Sequence, residues 1–160
     1  KWKNILLIST HTGESPNNSI VNQLLFAKKK LNICNINCGR PESDWESLYT
    51  EEHRLIKNRY KKYEFIQFYE DSKSYNRLTK FIHDFCKLNS KVTEKVGFKF
   101  DKNNLLIMLC GDPFMIGMPI KKGAWEYSYP KHGLVKIFKE YSLELTTRFK
   151  QGSIICESYW

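Results

Sequence analysis

Short apolar runs of strand length recur along the chain and alternate with segments whose apolar residues follow helical spacing. Two of them, residues 4–9 and 104–109, are almost continuously apolar, which is typical of strands buried on both faces of a sheet. Further strands are predicted at residues 31–38 and 64–69, and a short last strand near residues 153–157. The apolar pattern thus predicts strands that are separated along the chain by helices.

The first helix is predicted to follow the segment 10–16, with Ser15 as its N-cap and Pro16 as its first residue. Its apolar face is predicted to contain Ile20, Val21, Leu24 and Leu25. Further helices are predicted at about residues 49–60, 76–88 and 133–141, with a short one starting at Phe114. The face of the 49–60 helix is predicted to consist of Leu48, Leu55 and Ile56. Residues 90–102 are interpreted as a lysine-rich connector, and residues 117–131 as an irregular segment rich in glycine, proline and aromatic side chains.

Alternation of strands and helices predicts an α/β fold: one domain over residues 1–160, with a parallel sheet and helices on both faces. Open parallel sheets bind ligands at the carboxyl ends of their strands. The segments 10–16 and 110–113 each follow an apolar strand. We therefore expect them to lie side by side at one crevice.

The chain has 26 basic and 17 acidic residues, a net charge of +9. Such a charge suits nucleic acid, an anionic membrane surface, acidic partners or phosphate ligands. The lysines are scattered in pairs and triplets, however, which favours a solvated basic surface, and no nucleic-acid-binding motif is present. Nucleic acid is therefore not expected as a partner. No run approaches 18 apolar residues, so no transmembrane segment is expected either. The sequence opens with Lys1 rather than Met, so a processed product or part of a longer protein is expected.

Five cysteines cannot all pair within one chain, and neither they nor the four histidines show metal-ligand spacing. We predict buried free thiols in an intracellular reducing compartment, either the cytoplasm or the mitochondrial matrix, and no bound metal. His83 falls within a helical pattern and is predicted to lie at the surface or in an interface.

Two short segments contain groups that are candidates for ligand binding or catalysis. Gly13, between a strand and a helix, is a candidate phosphate seat, since the free N–H groups of a helix N-terminus favour anions. One glycine is not a full dinucleotide fingerprint, so a simple tight turn remains the alternative. Glu14 would oppose a pyrophosphate there unless it points away. Cys110 at a strand end is either a reactive thiol or a small apolar plug.

Three segments together resemble the nicotinamide-nucleotide-binding domain of ferredoxin–NADP reductases, in a bacterial-type branch that ends in Tyr-Trp. Residues 9–16 (STHTGESP) are similar to its first strand-to-helix turn. Residues 109–117 (LCGDPFMIG) resemble its Cys-Gly-Asn-Pro-x-Met segment, and residues 152–160 (GSIICESYW) resemble its carboxyl terminus. The resemblance runs through the chain in order.

This resemblance implies roles for individual residues. Thr12 and Gly13 would hold the nucleotide phosphate and approach the nicotinamide, with Gly111 and Asp112 beside them. Cys110 would lie near the nicotinamide carbon that exchanges hydride, and Glu157 would be a polar contact in the active site. Tyr159 would stack on the flavin, Trp160 would extend toward the adenine, and Arg40 would be a further basic contact. Alternatively, Tyr159 and Trp160 simply pack at the end of a strand.

Two departures from the family qualify this interpretation. The reductases carry an amino-terminal flavin-binding barrel, and this sequence begins where that barrel would end. FAD is therefore expected only through a missing or partner domain. Glu70 and Asp71 also stand where the family holds the NADP 2′-phosphate with neutral and basic side chains. The cofactor is accordingly NAD or NADP, with the carboxylates favouring NAD.

Two functions follow. The chain is the NAD(P)-binding half of a ferredoxin or flavodoxin reductase-like oxidoreductase, with a flavin-barrel domain or chain as its partner. Alternatively, it is a catalytically inactive structural subunit among the neighbouring subunits of a larger assembly, such as a mitochondrial respiratory complex. The aromatic residues of segment 125–129 are either an interface or a loop plug.

Overall fold

A computed structural model describes residues 2–39, 49–70, 75–118, 120–121, 127–128 and 133–158. Its main sheet contains five strands, close to the predicted positions: β1 Asn4–Thr10, β2 Asn32–Gly39, β3 Tyr63–Tyr69, β4 Leu105–Gly111 and β7 Ile154–Ser158. Two short strands, β5 Ile120–Lys121 and β6 Tyr127–Ser128, pair as a separate antiparallel ribbon.

All neighbouring strands of the main sheet run parallel, in the order β3-β2-β1-β4-β7. The predicted α/β class and parallel sheet are therefore confirmed. Strand order reverses at β1, because β2 lies on one side of it and β4 on the other. The carboxyl ends of β1 and β4 thus adjoin at the topological switch point, where open sheets of this kind place their ligands.

Six α-helices are present among the described residues: α1 Glu14–Phe26, α2 Thr50–Arg59, α3 Asn76–Cys86, α4 Ser90–Val96, α5 Pro113–Ile116 and α6 Leu134–Glu140. The interpretation of residues 90–102 as a connector is wrong, because α4 occupies its first half. The Asn89 side chain accepts a hydrogen bond from the Val92 N–H at 3.3 Å, and Gly97 ends the helix with φ +82°. In the sequence, Asn89 and Gly97 are the residues that indicate where this helix begins and ends.

The start of α1 also differs from the prediction. The helix begins at Glu14, with Gly13 as its N-cap, so Pro16 is its third residue rather than its first. Proline is tolerated there because the first-turn N–H groups need no intrahelical acceptor. Before α1, residues 11–13 form a single 3₁₀ turn.

The two faces of the sheet bury different kinds of side chain. On the face covered by α3 and α6, the core is apolar and includes Leu6, Ile36, Ile107, Phe85 and Phe138. On the opposite face, covered by α1 and α2, a smaller apolar cluster contains Leu7, Val21, Ile33 and Tyr63. The predicted apolar face of α1 is confirmed for Val21, which is buried, and for Leu24 and Leu25, which pack against this cluster. The first turns of α1 bury the polar residues Glu14, Asn17 and Asn18 instead.

The predicted apolar face of α2 is confirmed for Ile56, which packs against this cluster, and wrong for Leu55, which is exposed. Leu48 lies outside the described residues, and His53 is the buried residue of that helix. His83 lies on α3, partly exposed, with its ring 6.2 Å from that of Tyr141. No helix among the described residues is long and apolar enough to cross a membrane.

Candidate functional site

The turn after β1 and the end of β4 are in direct contact, as expected from the sequence. A Cβ built on Gly13 would lie 2.4 Å from the main-chain carbonyl oxygen of Cys110. Since real Cβ atoms do not approach oxygen so closely, only glycine lets α1 begin against β4. The amino terminus of α1 is thereby brought to the carboxyl end of the strand that carries Cys110.

A second glycine, Gly111, completes this contact from the other side. Its φ is +120°, a conformation that residues with a Cβ rarely adopt, and a Cβ there would lie 2.2 Å from Thr10 Oγ1. Thr10 Oγ1 in turn accepts a hydrogen bond of 2.7 Å from the Asp112 N–H. Thr10 is therefore a component of the site that sequence reasoning did not single out.

Cys110 and Glu157, both predicted at the site, are direct partners in the register of β4 and β7. Register partners on parallel strands point to the same face of the sheet. The row continues through Ser9, Asn37 and Gln67, so one polar line crosses all five strands. Cys110 is 3% exposed, whereas Glu157 is exposed.

Hydrogen bonds join the inner part of this row. The Asn37 Nδ2 group donates to Ser9 Oγ at 3.3 Å, and the Gln67 Nε2 group donates to Asn37 Oδ1 at 3.0 Å. Because strand residues alternate between faces, Asn35 lies on this same face and is likewise buried. Asn35 and Asn37, at alternate positions of β2, are the sequence signal for this polar line.

Asp112, predicted to bind the cofactor, has its side chain engaged within the protein. Its Oδ1 accepts from the Phe114 N–H at 2.8 Å and caps α5. Its Oδ2 accepts from the Tyr75 hydroxyl, also at 2.8 Å. Tyr75 is buried with φ +42° at the start of α3, so Asp112 ties α3 to the end of β4.

Glu70, predicted to face the adenosine end of the nucleotide, caps α3 instead. Its two carboxylate oxygens accept hydrogen bonds from the Leu78 N–H at 2.6 Å and the Arg77 N–H at 2.9 Å. The residue is 6% exposed. Its negative charge thus occupies the amino terminus of α3, which favours anions. This carboxylate also contributes, after burial itself, to raising the pKa of Cys38 to about 12.

The predicted phosphate seat lies at the amino terminus of α1, where main-chain N–H groups favour anions. Thr12 is exposed at the turn, Gly13 is buried beneath it, and the N-cap glycine has no side chain with which to cap α1. Glu14, whose charge would oppose an anion, is 5% exposed and hydrogen-bonded to His53. The requirement that Glu14 point away from a pyrophosphate is therefore met.

Three predicted site residues, Arg40, Tyr159 and Trp160, lie outside the described residues, as does Asp71 and most of the segment 125–129. None of the five cysteines forms a disulfide; four are buried and Cys156 is half-buried. Among the described residues, no group of three or more histidine, cysteine or acidic side chains is placed to hold a metal ion.

The fold and the glycine contact at the switch point define a nucleotide-binding α/β domain of the open parallel type. Residues 7–120 match the family described as oxidoreductase NAD-binding domain, and the chain belongs to this family. The resemblance to the nicotinamide-nucleotide domain of ferredoxin reductases is thus confirmed. A search of curated proteins gave no significant match.

Proposed function

We propose that this chain binds NAD or NADP at the Gly13–Cys110 contact and exchanges hydride with a flavin held by a separate domain or chain. Membership of the family establishes that the chain contains an oxidoreductase NAD-binding domain. The observation that supports hydride exchange at this place is that Gly13, Cys110 and Glu157 lie next to one another at the carboxyl ends of the strands.

The residues at this edge suit a dinucleotide. Main-chain N–H groups at the start of α1 and the exposed Thr12 hydroxyl would bind the pyrophosphate. A nicotinamide extending from there toward β7 would pass Cys110 and reach Glu157. A reduced nicotinamide bound there would supply the hydride, that is, two electrons with one proton, for transfer to the flavin.

The chain's own contribution is positioning. Cys110 is held by the close approach of Gly13 and by its place in β4, so its side chain would bound the nicotinamide on one side. Glu157, at an edge strand and exposed, would orient the polar carboxamide. Fixed placement of the two rings is what makes such a transfer fast.

Reconstitution tests this proposal. A flavin-loaded barrel domain of a ferredoxin reductase is added to the chain, and NADH- and NADPH-driven dye reduction is measured. We expect activity that requires both parts and that falls at least tenfold in Cys110→Ala and Glu157→Gln. Cys156→Ala, on the other face of β7, is the matched control and should retain activity. Equal activity in all three variants would contradict the assigned roles.

One observation favours the second candidate, an inactive structural subunit: the Glu70 carboxylate, at the position where the family holds the 2′-phosphate, already occupies the α3 amino terminus. If a tightly bound native partner complex contains no flavin and the chain binds neither nucleotide, this alternative is the correct one.

A further inference from the structure

Five segments lead into the strands of the main sheet. Because all five strands run parallel, these segments lie together at one end of the molecule, which we call the amino pole. The segments are residues 2–3, 27–31, 60–62, 97–104 and 141–153. The amino pole is opposite the Gly13–Cys110 contact, which lies at the carboxyl ends of the strands.

Hydrogen bonds hold these segments side by side. The Lys3 N–H donates to the Asn104 carbonyl oxygen at 3.1 Å, and the Lys3 carbonyl oxygen accepts from the Asn32 N–H at 3.0 Å. The Tyr60 hydroxyl lies 2.8 Å from the carbonyl oxygen of Lys29. The last two segments line a common pocket of about 240 Å³. The amino pole is therefore one continuous surface and not a set of separate loops.

This surface is strongly basic. Its five segments carry ten lysine and arginine side chains, all exposed, against the two carboxylates of Asp101 and Glu144. Glu144 forms an ion pair with Lys150, and Asp101 accepts hydrogen bonds from Asn103 and Asn104. Ten basic and two acidic groups leave a charge of +8, compared with +9 for the whole chain. The lysines that are scattered in the sequence are thus gathered by the fold.

Helix dipoles do not account for this concentration of charge. A cation in the last turn of a helix is favoured by the dipole, but the effect fades within that turn. Lys102 and Arg148 lie six and eight residues beyond the ends of α4 and α6. A surface that only needs to be hydrated is served by charges of both signs. A large surface of one sign instead attracts an anionic partner.

Two phenylalanine side chains project from the same pole. Phe26, the last residue of α1, is 91% exposed, and Phe149, between Arg148 and Lys150, is 93% exposed. Rings with so little contact protrude from the surface and are not held against a groove. Aromatic side chains that stack on nucleic-acid bases line a basic groove. Protruding apolar rings among lysines are instead typical of surfaces that enter the headgroup region of a bilayer.

We propose that the amino pole binds the surface of an anionic lipid bilayer, with its basic side chains at the headgroups and with Phe26 and Phe149 inserted between them. The strands are five to eight residues long, so the Gly13–Cys110 contact lies about 20 Å from this surface and faces away from it. A nucleotide and a flavin domain then have free access to it. The inference goes beyond the proposed function and does not require it.

Cosedimentation with lipid vesicles tests the inference. Wild type should bind vesicles of phosphatidylcholine that contain about one third phosphatidylserine. It should bind vesicles of phosphatidylcholine alone at least about tenfold more weakly, and binding to the anionic vesicles should be lost as the salt concentration rises to about 0.5 M.

Lysine variants test whether the amino pole is the surface that binds. Lys29→Gln/Lys30→Gln should bind the anionic vesicles at least about tenfold more weakly, because each basic residue at such a surface contributes about fivefold. Lys80→Gln/Lys136→Gln is the matched control, since it makes the same change in net charge at exposed positions in the first halves of α3 and α6. It should bind like wild type.

Phenylalanine variants test insertion. Phe26→Ser/Phe149→Ser keeps every charge and should bind the anionic vesicles at least about fivefold more weakly. Leu55→Ser, an exposed apolar position on α2, should bind like wild type. The added tryptophan of Phe149→Trp should be quenched by brominated lipid more strongly than that of Phe114→Trp, which follows β4 at the opposite pole.

Several results would overturn the inference: no binding to anionic vesicles, an equal loss in the two lysine variants, unchanged binding of the double serine variant, or equal quenching of the two tryptophans. Electrophoretic titration with a single-stranded RNA oligonucleotide examines the other class of anionic partner. Tighter binding of this RNA than of the vesicles at the same salt concentration would identify a nucleic-acid surface and would also overturn the inference. Failure to bind NADH or NADPH would overturn the proposed function alone.

Discussion

Gly13 lies against the main chain of Cys110 so closely that a Cβ on Gly13 would be 2.4 Å from the Cys110 carbonyl oxygen and 2.7 Å from its carbon. The contact joins the two segments of the candidate site, which are almost a hundred residues apart in sequence. It is made by main-chain atoms that cannot move aside without displacing β4 or α1.

Gly13→Ala should therefore damage both stability and the site. We expect a loss of about 1–3 kcal/mol in the free energy of unfolding, as for overpacking elsewhere, and at least tenfold weaker NADH binding. Urea unfolding and calorimetry measure the two effects. Gly39→Ala is the matched control: its nearest neighbours would be side-chain atoms at 3.4 Å, an ordinary contact, so both quantities should change little. A harmless Gly13→Ala would contradict the close approach.

The Glu70 cap predicts a loss of stability when Glu70 is replaced by the isosteric but uncharged glutamine. Glu70→Gln leaves one acceptor for two N–H donors and removes a negative charge from the α3 amino terminus. We expect the free energy of unfolding to fall by about 1–2 kcal/mol. Glu94→Gln on the exposed side of α4 should change it by less than about 0.5 kcal/mol. Equal effects of the two substitutions would contradict the capping role.

Nucleotide preference is predicted to favour NAD over NADP, because Glu70 and the neighbouring Asp71 would repel a 2′-phosphate. Competitive calorimetry with both nucleotides measures the ratio of dissociation constants. The double variant Glu70→Gln/Asp71→Asn should bind NADP more tightly, so that its dissociation constants for NAD and NADP differ less than those of wild type. If wild type binds NADP more tightly than NAD, then Glu70 and Asp71 do not correspond to the family's 2′-phosphate positions, or Arg40 attracts the 2′-phosphate more strongly than the carboxylates repel it.

Stability is predicted to fall in alkali. Burial raises the pKa of Cys86 from 9.0 to about 12, and burial together with the Glu70 carboxylate does the same for Cys38. In the unfolded chain these thiols lose their protons first, so their stabilising effect is complete below about pH 9 and is lost as pH rises toward 12. Each thiol then contributes a slope of about 1.4 kcal/mol per pH unit.

Urea unfolding at pH 8, 9 and 10 tests this slope. Cys86→Ala will be less stable at pH 8 through lost packing, but its stability should decline less steeply with pH than that of wild type. Identical slopes would mean that the Cys86 thiol does not titrate differently in the two states.

The purified chain alone is predicted neither to retain FAD nor to show diaphorase activity. The resemblance to the family offers Tyr159 as a contact to one face of a flavin ring, with Trp160 beside it. One aromatic stacking contact contributes about 1 kcal/mol beyond area burial, whereas micromolar retention needs about 8 kcal/mol. Absorbance after incubation with FAD and gel filtration, followed by a dye-reduction assay, provides the measurement. A yellow, dye-reducing chain would contradict the prediction.

The sequence by itself determined the α/β class and the positions of most helices and strands, because alternation and helical spacing are local properties of a chain. It also placed residues 10–16 and 110–113 after apolar strands, from which their meeting at one edge followed. The lysine-rich composition of residues 90–102 concealed the helix of residues 90–96, although Asn89 and Gly97 mark its two ends.

Tertiary structure decided what the polar side chains do. The sequence places Glu14 and Glu70 as charges at a ligand site, yet the structure shows Glu14 buried and hydrogen-bonded to His53, and Glu70 capping α3. His53 lies 39 positions from Glu14 along the chain. Local periodicity carries no information about such partners, because the direction of a carboxylate depends on which buried donors the packing of strands and helices brings within hydrogen-bond distance.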